Sequence, residues 1–287
     1  MKKPAETPAS RLVVQHPALS APTVDAIAAR IGAPPTENRP GVAIWEETRL
    51  DRAALAVIAE RFGVDATCVT GASRLGDYRL IAFDMDSTLI TIECIDEVAD
   101  FAGRKAEVAA ITEAAMSGEI ADYQESLRRR VALLVGLEAG VLDRVYRERL
   151  RLTDGAETLI GAARQAGLKT LLVSGGFSHF TDRLKVRLDL DFTRSNMLEI
   201  RDGRLTGRLV GPLVDADAKA EALRDACARI GCSTRQAIAV GDGANDLKMM
   251  AVAGLSVAFR AKPVVQAQAT WAIGHGGLEA ILNLLPV

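Results

Sequence analysis

Leu80-Ile81-Ala82-Phe83-Asp84-Met85-Asp86-Ser87-Thr88 decides the reading of this chain. Four apolar residues make a buried-type strand, and two carboxylates two positions apart follow where it runs out. In open α/β sheets, strand ends of this kind face a crevice. Two neighbouring carboxylates there can divide the roles of nucleophile and proton donor, which points to covalent hydrolytic chemistry and not to binding alone.

Two further strands end the same way. Residues 168–173 run into Ser174-Gly175-Gly176, and residues 236–240 run into Gly241-Asp242-Gly243. Helical segments at 156–166, 180–188, 219–230, 247–253 and 278–285 alternate with these strands, with a strand at 255–259 and with a short one near Trp271. Residues 197–211 alternate around Asp202-Gly203, a hairpin signal. The pattern predicts an α/β fold, a three-layer Rossmann-like parallel sheet covered on both faces. Residues 93–151 read as almost wholly helical and therefore as an inserted cap. Upstream, strands at 11–15 and 42–45 and helices at 23–31 and 53–62, with a loop over 32–41, make a small α+β module. The expected domains are thus 1–75 and 76–287, with residues 1–10 a disordered tail and 71–76 a linker.

Bulk properties narrow the function. The 287 residues carry a formal net charge of -2, so no global field recommends nucleic acid or an anionic membrane as partner. Cys68, Cys94, Cys227 and Cys232 form no CxxC pair and no zinc spacing, which reads as reduced thiols in a cytoplasmic protein. Lys2 and Lys3 precede no apolar stretch of the kind a secretory signal needs, and no run is long enough to span a membrane. A small-molecule partner is expected, and a homodimer is compatible with the sequence.

Asp84, Asp86 and Asp242 would repel one another if ionised and close, so a cation is expected among them. Hard oxygen donors on two loops suit Mg2+ better than Zn2+. Ser174-Gly175-Gly176, ahead of a helix, offers an oxyanion a hydroxyl, unobstructed N–H groups and a helix N-terminus. Gly241-Asp242-Gly243-Ala244-Asn245-Asp246 fits a dinucleotide loop poorly, because its two acids would repel a pyrophosphate. It reads as a metal loop with Asn245 as a neutral donor or acceptor. Lys219 follows Asp215-Ala216-Asp217 near a helix start, where the macrodipole disfavours a cation. Either it points at an anion in the crevice or it is an exposed helix lysine, and the sequence leaves both open.

Asp84-Met85-Asp86-Ser87-Thr88, Ser174-Gly175-Gly176, Lys219 and the Gly241-to-Asp246 loop, in this order, resemble the four motifs of the haloacid dehalogenase superfamily. Val173-Ser174-Gly175-Gly176-Phe177, Ala239-Val240 with the loop after it, and Glu125-Ser126-Leu127-Arg128-Arg129-Arg130-Val131 are similar to the phosphoserine phosphatases within it. The resemblance covers about residues 78–285 and leaves out the N-terminal module, where bacterial members often carry an extra domain, sometimes ACT-like. It implies Mg2+-dependent hydrolysis of O-phospho-L-serine through an aspartyl phosphate, the last step of L-serine biosynthesis. In that scheme Asp84 attacks phosphorus, and Asp86 protonates the departing serine oxygen and then takes a proton from water. Asp84, the Asp86 carbonyl and Asp242 hold the metal, and Asp246 supports its waters from behind. Ser174, the Gly175 N–H and Lys219 hold phosphoryl oxygens, beside Asn245. Phosphoryl transfer asks for this kind of positioning and charge neutralisation.

An amino acid phosphate also carries an ammonium and a carboxylate, so the cap should supply one acid and one base. On a helix over 123–135, Tyr123, Leu127, Val131 and Leu134 form an apolar stripe. Arg130 lies at its edge, Arg128 well off it and Arg129 opposite. Arg130 is the one placed to turn inward, and the resemblance assigns it the carboxylate. Glu93 is the matching ammonium partner, although taken alone it is equally a solvated acid at a helix start. Met116 and Tyr123 either shield the site or pack in the core. Of His16, His179 and His275, His179 alone lies near the Ser-Gly-Gly motif; Cys227, Cys232 and Trp271 read as packing residues. The rival readings are a phosphatase or phosphotransferase of the same scaffold acting on another small phosphorylated metabolite and, for the first 75 residues, a sensing or interaction role.

Overall fold

The computed structural model describes residues 10–70, 74–116, 120 and 122–287. Expectations for the tail over 1–9, for linker residues 71–73 and for the Met116 side chain fall outside that set.

The N-terminal part consists of β1 (Ser10–Gln15), α1 (Ala21–Ile31), β2 (Glu37–Arg39), β3 (Val42–Glu46), α2 (Arg52–Phe62) and β4 (Asp65–Thr70). Its four strands pair antiparallel in the order β2-β3-β1-β4, a βαββαβ arrangement. β2 lies in the stretch read as loop, because its three exposed polar residues show no apolar alternation. β4 escapes a sequence reading too: its inward positions are Asp65, Thr67 and Val69, two of them polar. Period-2 alternation gives this sheet two apolar faces. Leu12, Val14, Ala43 and Trp45 pack with Val24, Ile27 and Ile58 of α1 and α2. Val13, Val42, Ile44 and Val69 face the other way and join the main core. Asp65 fastens the junction by accepting the Gly274 and His275 N–H groups at 2.8 and 3.0 Å.

The main sheet contains β5 (Leu80–Phe83), β6 (Lys169–Phe177), β7 (Phe192–Arg201), β8 (Arg204–Val210), β9 (Ala237–Gly241), β10 (Leu255–Phe259) and β11 (Trp271–Ile273). The intervening helices are α3 (Cys94–Phe101), α4 (Lys105–Met116), α5 (Tyr123–Ala132), α6 (Gly140–Arg144), α7 (Ala156–Gln165), α8 (Ser178–Leu188), α9 (Ala216–Ile230), α10 (Leu247–Val252), α11 (Pro263–Gln266) and α12 (Ile281–Leu284). Strand order is β11-β10-β9-β5-β6-β7-β8, parallel except that β8 returns antiparallel along β7. Leu80 and Ala82 pack on one face with Leu223 and Ala226 of α9 and Met249 of α10. Ile81 and Phe83 pack on the other with Leu159 of α7 and Phe180 of α8. The expected three-layer α/β architecture is therefore present. Strands step outward from β5 through β6 and β7, and the chain then crosses to β9 on the other side of β5. The carboxyl ends of β5, β6 and β9 flank the crevice where the order reverses.

The helical insertion α3 to α6 leaves and re-enters the core at one place. Ile90 bridges Leu152, and the Thr153 N–H donates to Leu89 O at 3.0 Å. Its far end bonds to the β7–β8 hairpin, where Gly136 N–H donates to Leu205 O and Leu205 N–H to Leu137 O, both at 2.8 Å. Among the described residues no helix is long and apolar enough to cross a membrane. All four cysteines are free thiols.

Candidate active site

Asp84 follows β5 directly, its N–H donating to Val240 O of β9 at 2.9 Å. The chain then makes one wide turn, in which Ile90 N–H donates to Met85 O at 3.0 Å and Ser87 takes φ +57°. That left-handed conformation costs a residue with a side chain roughly 1 kcal/mol. The turn delivers the Asp86 carboxylate to the Cys94 N–H at 2.9 Å and the Ser174 hydroxyl at 3.3 Å. Burial holds the Asp86 carboxyl above its ordinary pKa, against the opposing pull of the Cys94 N–H.

Ser174-Gly175-Gly176 lies within the last residues of a strand that runs further than the sequence reading placed it. β6 continues through it to Phe177 with irregular pairing to β7, and α8 starts only at Ser178. The buried Ser174 accepts the Gly176 N–H at 2.7 Å. Buried Asn196 of β7 donates to Gly175 O at 2.7 Å and accepts the Val214 N–H at 2.8 Å, tying the end of β6 to the chain leading into α9. Gly176 is required by closeness: a Cβ there would lie 2.7 Å from Asp86 Oδ2 and 3.0 Å from Ser174 Oγ.

Lys219 resolves the choice left open by the sequence. Only 1% exposed, it lies in the first turn of α9 and reaches Asp84 Oδ1 at 2.6 Å and Asp246 Oδ1 at 2.7 Å. Burial opposes its charge, but Asp246 and Asp84 outweigh burial and raise the ammonium's pKa. Burial first and Asp246 second push the Asp84 carboxyl well above its usual range, while Lys219 pulls it down. Asp242 accepts from the Thr88 hydroxyl at 3.1 Å and is pushed up to about 6, by burial and then by Asp246.

Oxygens of Asp84, Asp242 and Asp246 lie within 4.8 Å of one another. One ammonium among three carboxylates leaves two negative charges uncompensated, which a divalent cation would relieve. Asp246 spends one oxygen on Lys219 and the other on the Gly243 N–H at 3.1 Å. Asp84 and Asp242 are the carboxylates with an oxygen still to offer, and an all-oxygen donor set suits a hard ion.

A cavity of about 800 Å³ opens over this cluster. Asp84, Asp86, Glu93, Arg130, Gly175, Asp242 and Asn245 line it, while Ser174, Lys219 and Asp246 lie behind its wall. Glu93 opens on the cavity and accepts from the Ser87 hydroxyl at 2.7 Å. Surrounding protein partly desolvates it and Asp86 repels it, so its carboxyl is pushed up to about 8. Arg130 is half-buried, whereas Arg128 and Arg129 stay exposed beside Gln124 and Glu125, as the helical phase predicts. Tyr123 both lines the cavity and packs on the main core. His179 lies against Asp143 at 3.3 Å and does not line the cavity. Sequence reasoning missed Thr88, Asn196 and Gln124, the last of which donates to Asp215, the N-cap of α9, at 2.7 Å.

A doubly covered parallel sheet, with acids at its switch point and a helical insertion over them, defines a Rossmann-like capped hydrolase. A family model described as haloacid dehalogenase-like hydrolase matches residues 78–254. A phosphoserine phosphatase of Polaromonas sp. (strain JS666) is 59% identical over 78% of this chain and 96% of its own length. A probable phosphoserine phosphatase from Vibrio cholerae, solved unliganded, superposes with a TM-score of 0.83 at 36% identity, over 96% of this chain and 86% of that one. A substrate-bound phosphoserine phosphatase structure matches 72% of this chain and 98% of its own at 38% identity, TM-score 0.68. The chain belongs to the haloacid dehalogenase-like hydrolases and, among them, to the phosphoserine phosphatases.

Proposed function

We propose that this chain hydrolyses O-phospho-L-serine to L-serine and orthophosphate, as the last step of L-serine biosynthesis in the cytoplasm, with Mg2+ as its metal. Asp84 attacks phosphorus; the bond to the serine oxygen breaks and that oxygen takes a proton from Asp86. Water then attacks the aspartyl phosphate, giving its proton to Asp86, and Asp84 is released with orthophosphate. The raised pKa of Asp86 suits a group that must carry a proton near neutral pH. Ser174, the Gly175 N–H and Lys219 neutralise phosphoryl oxygens beside Asn245. Asp84, the Asp86 carbonyl and Asp242 would hold the metal, which supplies further neutralisation of phosphoryl charge, and Asp246 backs the cluster through Lys219. Residues 76–287, with the cap at about 93–151, carry the reaction, and residues 1–75 stand outside it.

One observation carries the choice of substrate: an acid, Glu93, and a base, Arg130, open on the same cavity as Asp84. They match the ammonium and carboxylate of an amino acid phosphate. The relatives named for phosphoserine support the same reading. The test is Mg2+-dependent phosphate release from phosphoserine, phosphothreonine and phenyl phosphate by wild type, Asp84→Asn and Arg130→Ala. Asp84→Asn should abolish turnover, and Arg130→Ala should raise KM for phosphoserine far more than for phenyl phosphate. Equal turnover of all three esters by wild type would sink the substrate assignment, and an active Asp84→Asn the nucleophile.

A further inference from the structure

The cap contributes a polar atom to the phosphate end of the cavity that the scheme above does not use. Tyr123, the first residue of α5, projects its ring so that the hydroxyl packs against the Gly175 backbone; a methyl added to Gly175 would collide with Tyr123 Oη before anything else. Gly175 cannot retreat, since Asn196 holds its carbonyl at 2.7 Å. Among the described residues the Tyr123 hydroxyl has no hydrogen-bond partner, although the residue is only partly exposed and lines the cavity. Lys219, Arg130, Asp84 and Asp86 all lie close enough to act on it electrostatically. A hydroxyl that lines the cavity without a protein partner, beside the backbone to which the scheme assigns an oxyanion, lacks an acceptor that a bound ligand can provide.

We propose that the Tyr123 hydroxyl donates a hydrogen bond to a non-bridging phosphoryl oxygen of the bound monoester, so that the cap completes the phosphate cradle as well as reading the amino acid. The acceptor is a phosphoryl oxygen and not the substrate carboxylate, because the hydroxyl abuts Gly175, whose N–H the proposed scheme assigns to a phosphoryl oxygen. This inference rests on the phosphatase reading but not on the identity of the alcohol portion.

Tyr123→Phe removes the one oxygen and keeps the ring. Inhibition by inorganic phosphate is the probe, measured with both phosphoserine and phenyl phosphate as substrates. The phosphate Ki should rise about 10-fold or more, the range for a hydrogen bond to a charged group. The kcat/KM values for the two esters should fall by a common factor, with the melting temperature unchanged. An unchanged phosphate Ki, or a loss confined to phosphoserine, would overturn the proposal. If phosphoserine proved a poor substrate the function reading would fail, while the phosphate Ki would still decide the role of Tyr123.

Discussion

Gly176→Ala is the substitution that most directly tests the geometry assigned to Asp86. Gly176 does not adopt positive φ, so alanine brings no backbone strain and the effect is steric. The added Cβ would lie 2.7 Å from Asp86 Oδ2 and 2.7 Å from Met85 Cε. A comfortable carbon–oxygen separation is about 3.4 Å, so one side must yield by about 0.7 Å. The Met85 methyl ends a flexible chain and can swing aside. The Asp86 carboxylate is pinned by the Cys94 N–H at 2.9 Å and the Ser174 hydroxyl at 3.3 Å, and yielding breaks at least one of these bonds. Misplacing a reacting group by about 1 Å costs on the order of 100-fold, so kcat should fall roughly 30-fold. Overpacking should also lower stability by about 1–3 kcal/mol. Steady-state phosphate release from phosphoserine measures the first effect, and urea unfolding the second. A variant that is destabilised yet retains wild-type kcat would refute the idea that Asp86 must be held where Gly176 allows it.

Two predictions concern titration. Glu93 is protonated below about 8 in the free protein, and an ammonium is held by its carboxylate, so kcat/KM for phosphoserine should climb as pH rises toward that value. Phenyl phosphate should lack this part of the rise and Glu93→Gln should remove it; identical profiles for the two esters would take Glu93 out of ammonium binding. Asp191 is partly buried, which raises its pKa, but the Lys169 ammonium at 2.7 Å and the Thr170 N–H and hydroxyl outweigh this and depress it below 3.8. A depressed carboxyl stabilises the fold above its unfolded pKa and loses that contribution as pH falls through the folded value. Asp191→Asn should therefore cost about 1 kcal/mol at neutral pH in chemical denaturation. Its deficit should vanish in strong acid, and a pH-independent deficit would contradict the linkage.

The parallel core was legible because strands such as β5, buried on both faces, read as unbroken apolar runs. β2 and β4 were not, since edge position and inward polar residues erase the alternation that marks a strand. Within the site, Asp84, Asp86 and Asp242 were legible from their place after such runs. Lys219 was ambiguous because helical phase cannot say which side of α9 meets the sheet; the structure turns it toward β5. Asn196 gave no signal at all. A polar residue in a strand looks like a solvent-facing position, and its partners, Gly175 and Val214, are 21 and 18 residues away in sequence.

The N-terminal sheet, apolar on both faces, bears on how truncated chains are to be interpreted. Val13, Val42, Ile44 and Val69 form an outer wall of the main core, so cutting the chain near residue 75 bares a greasy surface on the half that carries Asp84. Lost activity in such a fragment would then report a wetted, sticky core and the aggregation that follows. It would say nothing about an effector site in the missing residues.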